Sequence, residues 1–250
     1  MYEVKGKWAL ITGSARGIGR LTALFMAERG CNLILHSRDL AHTEGLLAEV
    51  RAKGVQAHAV AAELNDLGAV ARMLEEIDAL GVDVDIVLNN AGLQVAYRVE
   101  YFATPVSDYL TSFNVNTIAP AMICYHFMPK MIARGHGRIL NTTSGIRLEP
   151  QQAGYSASKA ALDKITIDLG STVEGTDVMI NLTDPGWCRT DLGGSHAPNA
   201  PESAIPGIVA GVFADDKKSG RFLGAQNFTG MTIEEAVEKV HREFDSPYGK

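Results

Sequence analysis

The stretch WALITGSARGIG, residues 8–19, runs from a short apolar segment through three glycines into a helix-period segment. WALIT is apolar without alternation, the pattern of a strand covered on both faces. Helical spacing then runs from about Gly17 to Arg29, and Gly30 is placed to terminate it. Between the two, TGSARGIG (Thr12 to Gly19) lies where a phosphate-binding turn belongs, after a first strand and opening a first helix. Gly13 permits the tight turn, Gly17 allows close backbone approach to a pyrophosphate, and Gly19 lets helix and sheet pack closely. Ser14, Arg16 and Ile18 complete the loop and are expected cofactor contacts with it. The free N–H groups of the helix start favour an anion there. A glycine-rich turn by itself names no ligand; the strand–turn–helix context is what points to a nucleotide.

The same alternation continues along the chain. NLILH (32–36), VQAHAVAA (55–62), DIVLN (85–89), GRILNTTS (137–144) and VMINLTD (178–184) read as further strands. Helical spacing covers 40–53, 66–80, 107–134 and 155–173, with interruptions expected near Pro120 and Pro129. A short helix, an edge strand at GRFLGA and a charged amphipathic helix over 233–244 close the chain. This rhythm predicts an α/β fold: one Rossmann-type domain over residues 1–250, with a doubly wound parallel sheet of about seven strands and helices on both faces. The interval 186–206 is rich in Gly, Pro, Ser and Asn and is expected to be a substrate loop.

A formal net charge of −6 argues against nucleic acid or an anionic membrane as partner. The three cysteines, Cys31, Cys124 and Cys188, stand apart without a CxxC pair, which suggests reduced thiols and a cytoplasmic setting. There is no signal-peptide core and no apolar stretch long enough to span a bilayer. The seven histidines show no ligand spacing, so no metal site is expected.

Two local patterns carry chemistry. YSASK puts Tyr155 and Lys159 at i and i+4, neighbours on one helix face, where an ammonium would favour the phenolate. At the end of the second strand the chain reads His36-Ser37-Arg38-Asp39. An acid there would accept from a ribose 2′-hydroxyl. Ser37 stands in its place with Arg38 beside it, and Arg16 lies in the glycine loop. Such a set suits a 2′-phosphate, so NADP(H) is expected in preference to NAD(H).

With NNAG (Asn89 to Gly92) and DPGWCRT (Asp184 to Thr190), four ordered motifs are now in place, and together they resemble the short-chain dehydrogenase/reductase family over roughly Gly6 to Gly224. The resemblance implies a hydride transfer between nicotinamide and a carbonyl or secondary alcohol. It implies Tyr155 as general acid/base, Lys159 as its partner and Ser144 as the hydroxyl that polarises the substrate oxygen, with Thr142 and Thr143 close by. It implies Asn116, rather than Asn114, in a proton relay. Asn90, Ala91 and Gly92 would line the cofactor cleft, Glu63 and Leu64 would sit near the adenine, and Pro185, Gly186, Trp187 and Thr190 would face the nicotinamide. A homodimer or homotetramer built through the long helices is the implied assembly. The interval from Ser144 to Tyr155 is shorter than the family usually shows.

The pocket is expected between 93–102, 145–154 and 186–206, where Val95, Tyr97, Tyr101, Phe102 and Trp187 hint at an apolar or aromatic ketone. A non-catalytic dinucleotide-binding redox sensor is the alternative on the same fold. An isomerase, epimerase or dehydratase would ordinarily need a longer chain.

Overall fold

The computed structural model describes residues 1–248. Seven parallel strands form one sheet: β1 (Trp8–Ile11), β2 (Asn32–Ser37), β3 (Ala57–Ala61), β4 (Val84–Asn89), β5 (Gly137–Thr142), β6 (Val178–Asp184) and β7 (Phe222–Gly224). Their spatial order is β3-β2-β1-β4-β5-β6-β7, so the order reverses between β1 and β4. In a doubly wound sheet the crevice beyond the carboxyl ends of the strands, at that reversal, is where a ligand binds.

Alternation within each strand divides the core. Ala9, Ile11, Leu33 and Leu35 face one side, against Ala23, Met26 and Ala27 of α1 (Gly17–Glu28) and Leu46 and Val50 of α2 (Glu44–Ala52). Trp8, Leu10 and Ile34 face the other. There they meet Val70, Met73 and Ile77 of α3 (Leu67–Ala79) and Ile123, Phe127 and Met131 of α5 (Ala119–Arg134). Asp66 starts α3 by accepting from Gly68 N–H at 2.9 Å and Ala69 N–H at 3.1 Å, an N-cap that satisfies two orphan donors.

The second half departs from the expected outline in one respect. Residues 107–134 stay helical through both prolines. Pro120 occupies the first turn of α5, directly after an irregular turn, and Pro129 lies within α5. The interruption falls earlier, as a π-helical turn at Asn114–Ile118 between α4 (Val106–Phe113) and α5. Helix α6 (Ala153–Ser171) packs across α4, and Gly154 makes this possible: a Cβ there would stand 3.0 Å from the Asp108 carbonyl oxygen. The segment 186–206 is tied down by a bridge between Cys188 and Asn199 and ends in a short 3-10 turn at Pro201–Ala204. A short α7 (Ala210–Phe213) follows. Then α8 (Ile233–Glu243) opens on a capping box between Thr232 and Glu235 and buries Ile233, Ala236, Val237 and Val240. That helix is amphipathic as expected, with its apolar face used by its own core.

Candidate active site

The glycine loop joins β1 to α1 and is built by close approach. Gly13 has φ +64, and a Cβ on it would meet Ala91 Cα at 2.9 Å; one on Gly19 would meet the Gly13 carbonyl oxygen at 2.2 Å. NNAG supplies the staples. Asn90 Nδ2 donates to the Thr12 and Gly13 carbonyls at 3.0 and 3.3 Å, and Ala91 N–H donates to Thr12 Oγ1 at 3.0 Å. His36 fixes the loop from β2: its Nδ1 accepts the Gly13 N–H at 3.2 Å, while its Nε2 lies 3.1 Å from the Ala62 carbonyl. Those partners specify the neutral tautomer with the proton on Nε2. Arg16 at the N-cap gives α1 no side-chain cap, and no acid occupies its first turn. A helix start without a cap and without acid fits an anionic pyrophosphate.

Across the cleft, α6 presents Tyr155 and Lys159, both buried. Lys159 Nζ donates to the Thr142 carbonyl at 2.7 Å and lies 6.0 Å from the centre of the Tyr155 ring. Gly92 approaches the same point: a Cβ on it would stand 3.5 Å from Lys159 Nζ and 3.7 Å from Asn116 Oδ1. Asn116 sits in the π-helical turn. Its Nδ2 donates to the Leu93 carbonyl at 2.8 Å and to Ser158 Oγ at 3.0 Å, and its Oδ1 accepts the Leu93 N–H at 2.8 Å. Asn114 instead points outward, to Asn65.

The electrostatics differ from the simple expectation for a Tyr–Lys pair. Burial, not the lysine, dominates Tyr155 and pushes its pKa above the ordinary 10; Asp184 adds to the rise, and the Ser144 hydroxyl pulls the other way. Burial also lowers Lys159 to about 8, against opposing pulls from Asp163 and Asp184. Thr143 Oγ1 donates to Asp163, which occupies that hydroxyl and leaves Ser144 as the strand-end hydroxyl acting on Tyr155. Asp163 and Asp184 were not legible from the sequence as part of the site, and neither was His36.

Several large apolar side chains of the segments after β4, β5 and β6 are exposed. Tyr97, Phe102, Leu148 and Trp187 are 57%, 95%, 94% and 59% exposed, so these residues are not core. Trp187 is held by its indole N–H, which donates to the Gly193 carbonyl at 2.7 Å. Arg98 anchors the 93–103 segment by pairing through two nitrogens with Asp108 of α4, at 2.8 and 3.1 Å. Cys188 is buried and its thiol is pushed up by burial, which suits a packing role.

Residues 7–200 match the family model described as short chain dehydrogenase. The chain belongs to the short-chain dehydrogenase family. It is 31% identical over 205 residues to the uncharacterized oxidoreductase YvrD of Bacillus subtilis, spanning 81% of this chain and 76% of that one. A crystal structure of gluconate 5-dehydrogenase from Burkholderia cenocepacia with NADP and tartrate superposes with a TM-score of 0.75 at 26% identity, covering 89% of this chain and 94% of that one. NAD+-bound xylitol dehydrogenase gives 0.76 at 25%, covering 89% and 98%. This short-chain dehydrogenase is therefore an NAD(P)-dependent oxidoreductase of CH–OH and C=O groups.

The residues expected to choose between the two nicotinamide cofactors are placed unequally in this short-chain dehydrogenase. Ser37 is buried and donates its hydroxyl to the Asp39 carbonyl at 2.5 Å, so its proton is already used. Arg16 pairs with Asp191 at 2.6 Å, an exposed ion pair across the cleft. Arg38 is exposed and, among the described residues, enters no ion pair; Asp39 caps its own turn by accepting from Ala41 N–H at 3.0 Å. Glu63 is exposed at the end of β3 beside His36, whereas Leu64 is buried in the core. Among the described residues no cluster of His, Cys, Asp and Glu could hold a metal ion, and no helix is long and apolar enough to cross a membrane.

Proposed function

We propose that this protein interconverts a ketone and a secondary alcohol with NADP(H) in preference to NAD(H), using Tyr155 as general acid/base. The observation that carries the reading is the buried phenol of Tyr155, held protonated by its surroundings, with Lys159 beside it at the carboxyl edge of the sheet facing the glycine loop. When bound, the nicotinamide supplies or takes the hydride. Gly17, Ile18 and Gly19 would meet its pyrophosphate, and Pro185, Gly186 and Thr190 its nicotinamide side, with Asn90 and Ala91 supporting the loop from below. A protonated Tyr155 is ready to donate to a carbonyl oxygen in reduction, and in oxidation the deprotonated Tyr155 oxygen takes the proton from the alcohol hydroxyl. Ser144 would hydrogen-bond the substrate oxygen as its negative charge develops. Lys159 and Asn116, converging beside Gly92, would carry protons away from Tyr155 through water.

Arg38 supports the NADP(H) preference, since a guanidinium in no ion pair suits a 2′-phosphate. Ser37 and Arg16 support it less, because each already has a partner. The exposed Tyr97, Phe102, Leu148 and Trp187 suit an apolar or aromatic substrate. Val106, Leu110, Ile118, Tyr125 and Ile132, exposed on α4, α5 and the turn between them, suit pairing with a second copy. The sensor alternative is not favoured, because the Tyr, Lys, Ser and Asn set is complete.

The test is Tyr155→Phe, assayed with NADPH and a panel of aryl and alkyl ketones. Turnover should fall by about 10²–10⁴, the contribution of one positioned acid, while NADPH binding followed by fluorescence stays within a factor of two or so. Turnover at the wild-type rate in that variant would refute the assignment.

A further inference from the structure

Two loops frame the reaction site, one after β5 carrying Ser144 and one after β6 carrying Pro185 and Gly186. A single side chain holds both. Asp184 ends β6; its Oδ2 accepts the Gly145 N–H at 2.9 Å and its Oδ1 accepts the Gly186 N–H at 2.9 Å. Gly145 directly follows Ser144, and Gly186 opens the segment expected to face the nicotinamide. We infer that Asp184 is a positioning residue: its carboxylate clamps the Ser144 loop to the Gly186 loop, so that the substrate-polarising hydroxyl and the cofactor-facing backbone keep one fixed distance and orientation. This role rests on the reading of Tyr155 and Ser144 given above.

The chemistry of the clamp requires a carboxylate. Ionised, it accepts at both oxygens; an asparagine in the same place would accept at one end and turn N–H groups toward a backbone N–H at the other. The approach is close: a Cβ on Gly145 would stand 3.1 Å from Asp184 Oδ2, and Gly186 follows with φ +73. Neighbouring strands hold the aspartate in register, Thr183 accepting Thr143 N–H through its carbonyl at 2.8 Å and Asp184 pairing with Gly224.

The clamp also carries charge into the site. The titratable groups that feel Asp184 are Tyr155, Lys159 and Asp163 on α6 and Cys188 on the loop beyond β6. Arg189 and Glu202 act on Cys188 from the same loop. At this level β5 and the residue after it bring Thr142 and Thr143, and β7 brings Leu223 and Gly224, none of which titrates. Asp184 raises the pKa of both Tyr155 and Lys159, so it favours phenol and ammonium together. Neutralising it would move the phenol's titration to lower pH.

The experiment uses the full chain with Asp184→Asn, and Asp184→Ser as a second variant. Amide hydrogen exchange, measured without cofactor or substrate, should show at least about tenfold lower protection at Gly145 or Gly186 in both variants. In the wild type's best ketone–alcohol pair, kcat should fall about tenfold or more, and the acidic limb of kcat/KM for alcohol oxidation, where Tyr155 must be deprotonated, should move to lower pH. Wild-type exchange at both glycines would overturn the clamp. Altered exchange with unchanged kcat and an unchanged pH limb would overturn its positioning role. If neither variant folds, the carboxylate serves folding and the proposal fails. Should the wild type reduce no ketone with either nicotinamide, the oxidoreductase reading fails, and exchange alone still decides the clamp.

Discussion

Acid should loosen the glycine loop through His36. The ring lies buried between two fixed partners: the Gly13 N–H, which it accepts, and the Ala62 carbonyl, to which it donates. A second ring proton would point N–H at N–H, so the folded state resists protonation, and burial depresses the pKa below the ordinary 6.5. The sign follows from linkage. With a folded pKa below the unfolded one, the unfolded chain takes the proton first, so stability is full above about pH 6.5 and falls as the pH drops below it. With a depressed folded pKa the loss is bounded by RT ln(1 + 10^(6.5 − pH)), at most about 1.4 kcal/mol at pH 5.5 and about 2 kcal/mol at pH 5. That is a sizeable part of a typical 5–15 kcal/mol total. Urea unfolding at pH 7.5, 6.5, 5.5 and 5.0, run on the wild type and on His36→Gln, isolates the contribution because every other titrating group is shared. The wild type should lose more stability than the variant between pH 7.5 and 5.5, by up to about 1.4 kcal/mol, with NADPH affinity falling in parallel. Two stability curves that run parallel across this range would refute the reasoning.

Replacing Arg38 by alanine should weaken NADPH binding about tenfold, the value of one charge-assisted contact, and leave NADH binding unchanged, as read by nicotinamide fluorescence. Equal losses for both cofactors would remove Arg38 from the 2′-phosphate. Asn116→Ala strips the partners from the Leu93 N–H and carbonyl and should cost about 2–3 kcal/mol in urea unfolding, beyond any effect on turnover.

The elements and their order were legible because they are written in local periodicity. Apolar runs such as NLILH and helical spacing such as that of α3 need no knowledge of distant residues. The glycine loop was legible for the same reason, strand, turn and helix being contiguous. The π-helical turn was not, since Asn114–Ile118 has ordinary helical composition and owes its form to Asn116 bonding Leu93 and Ser158. Of the two prolines, Pro120 stands directly after the irregular turn, whereas Pro129 lies within α5 without ending it. His36, Asp163 and Asp184 act through partners far away in the chain, and no spacing rule links Asp184 to Gly145. The Tyr–Lys motif named its residues but not their titration: burial, a property of the whole fold, outweighs the neighbouring charge. Likewise Arg16 read as a free cation, and only the folded chain brings Asp191 to it.

The glycine loop, Asn90–Gly92, Ser144 and Pro185–Gly186 follow the carboxyl ends of their strands, and Lys159 of α6 reaches the same edge at the Thr142 carbonyl. The opposite edge, where Lys5 and Gly6 precede β1, Gly81 and Asp83 precede β4, and Arg134 and His136 precede β5, forms a separate polar surface. For anyone attaching this enzyme to a support, that division selects the chemistry: coupling through the amine of Lys5 would leave the cleft facing the liquid, whereas a tether at Leu148 or Trp187 would turn its mouth to the wall.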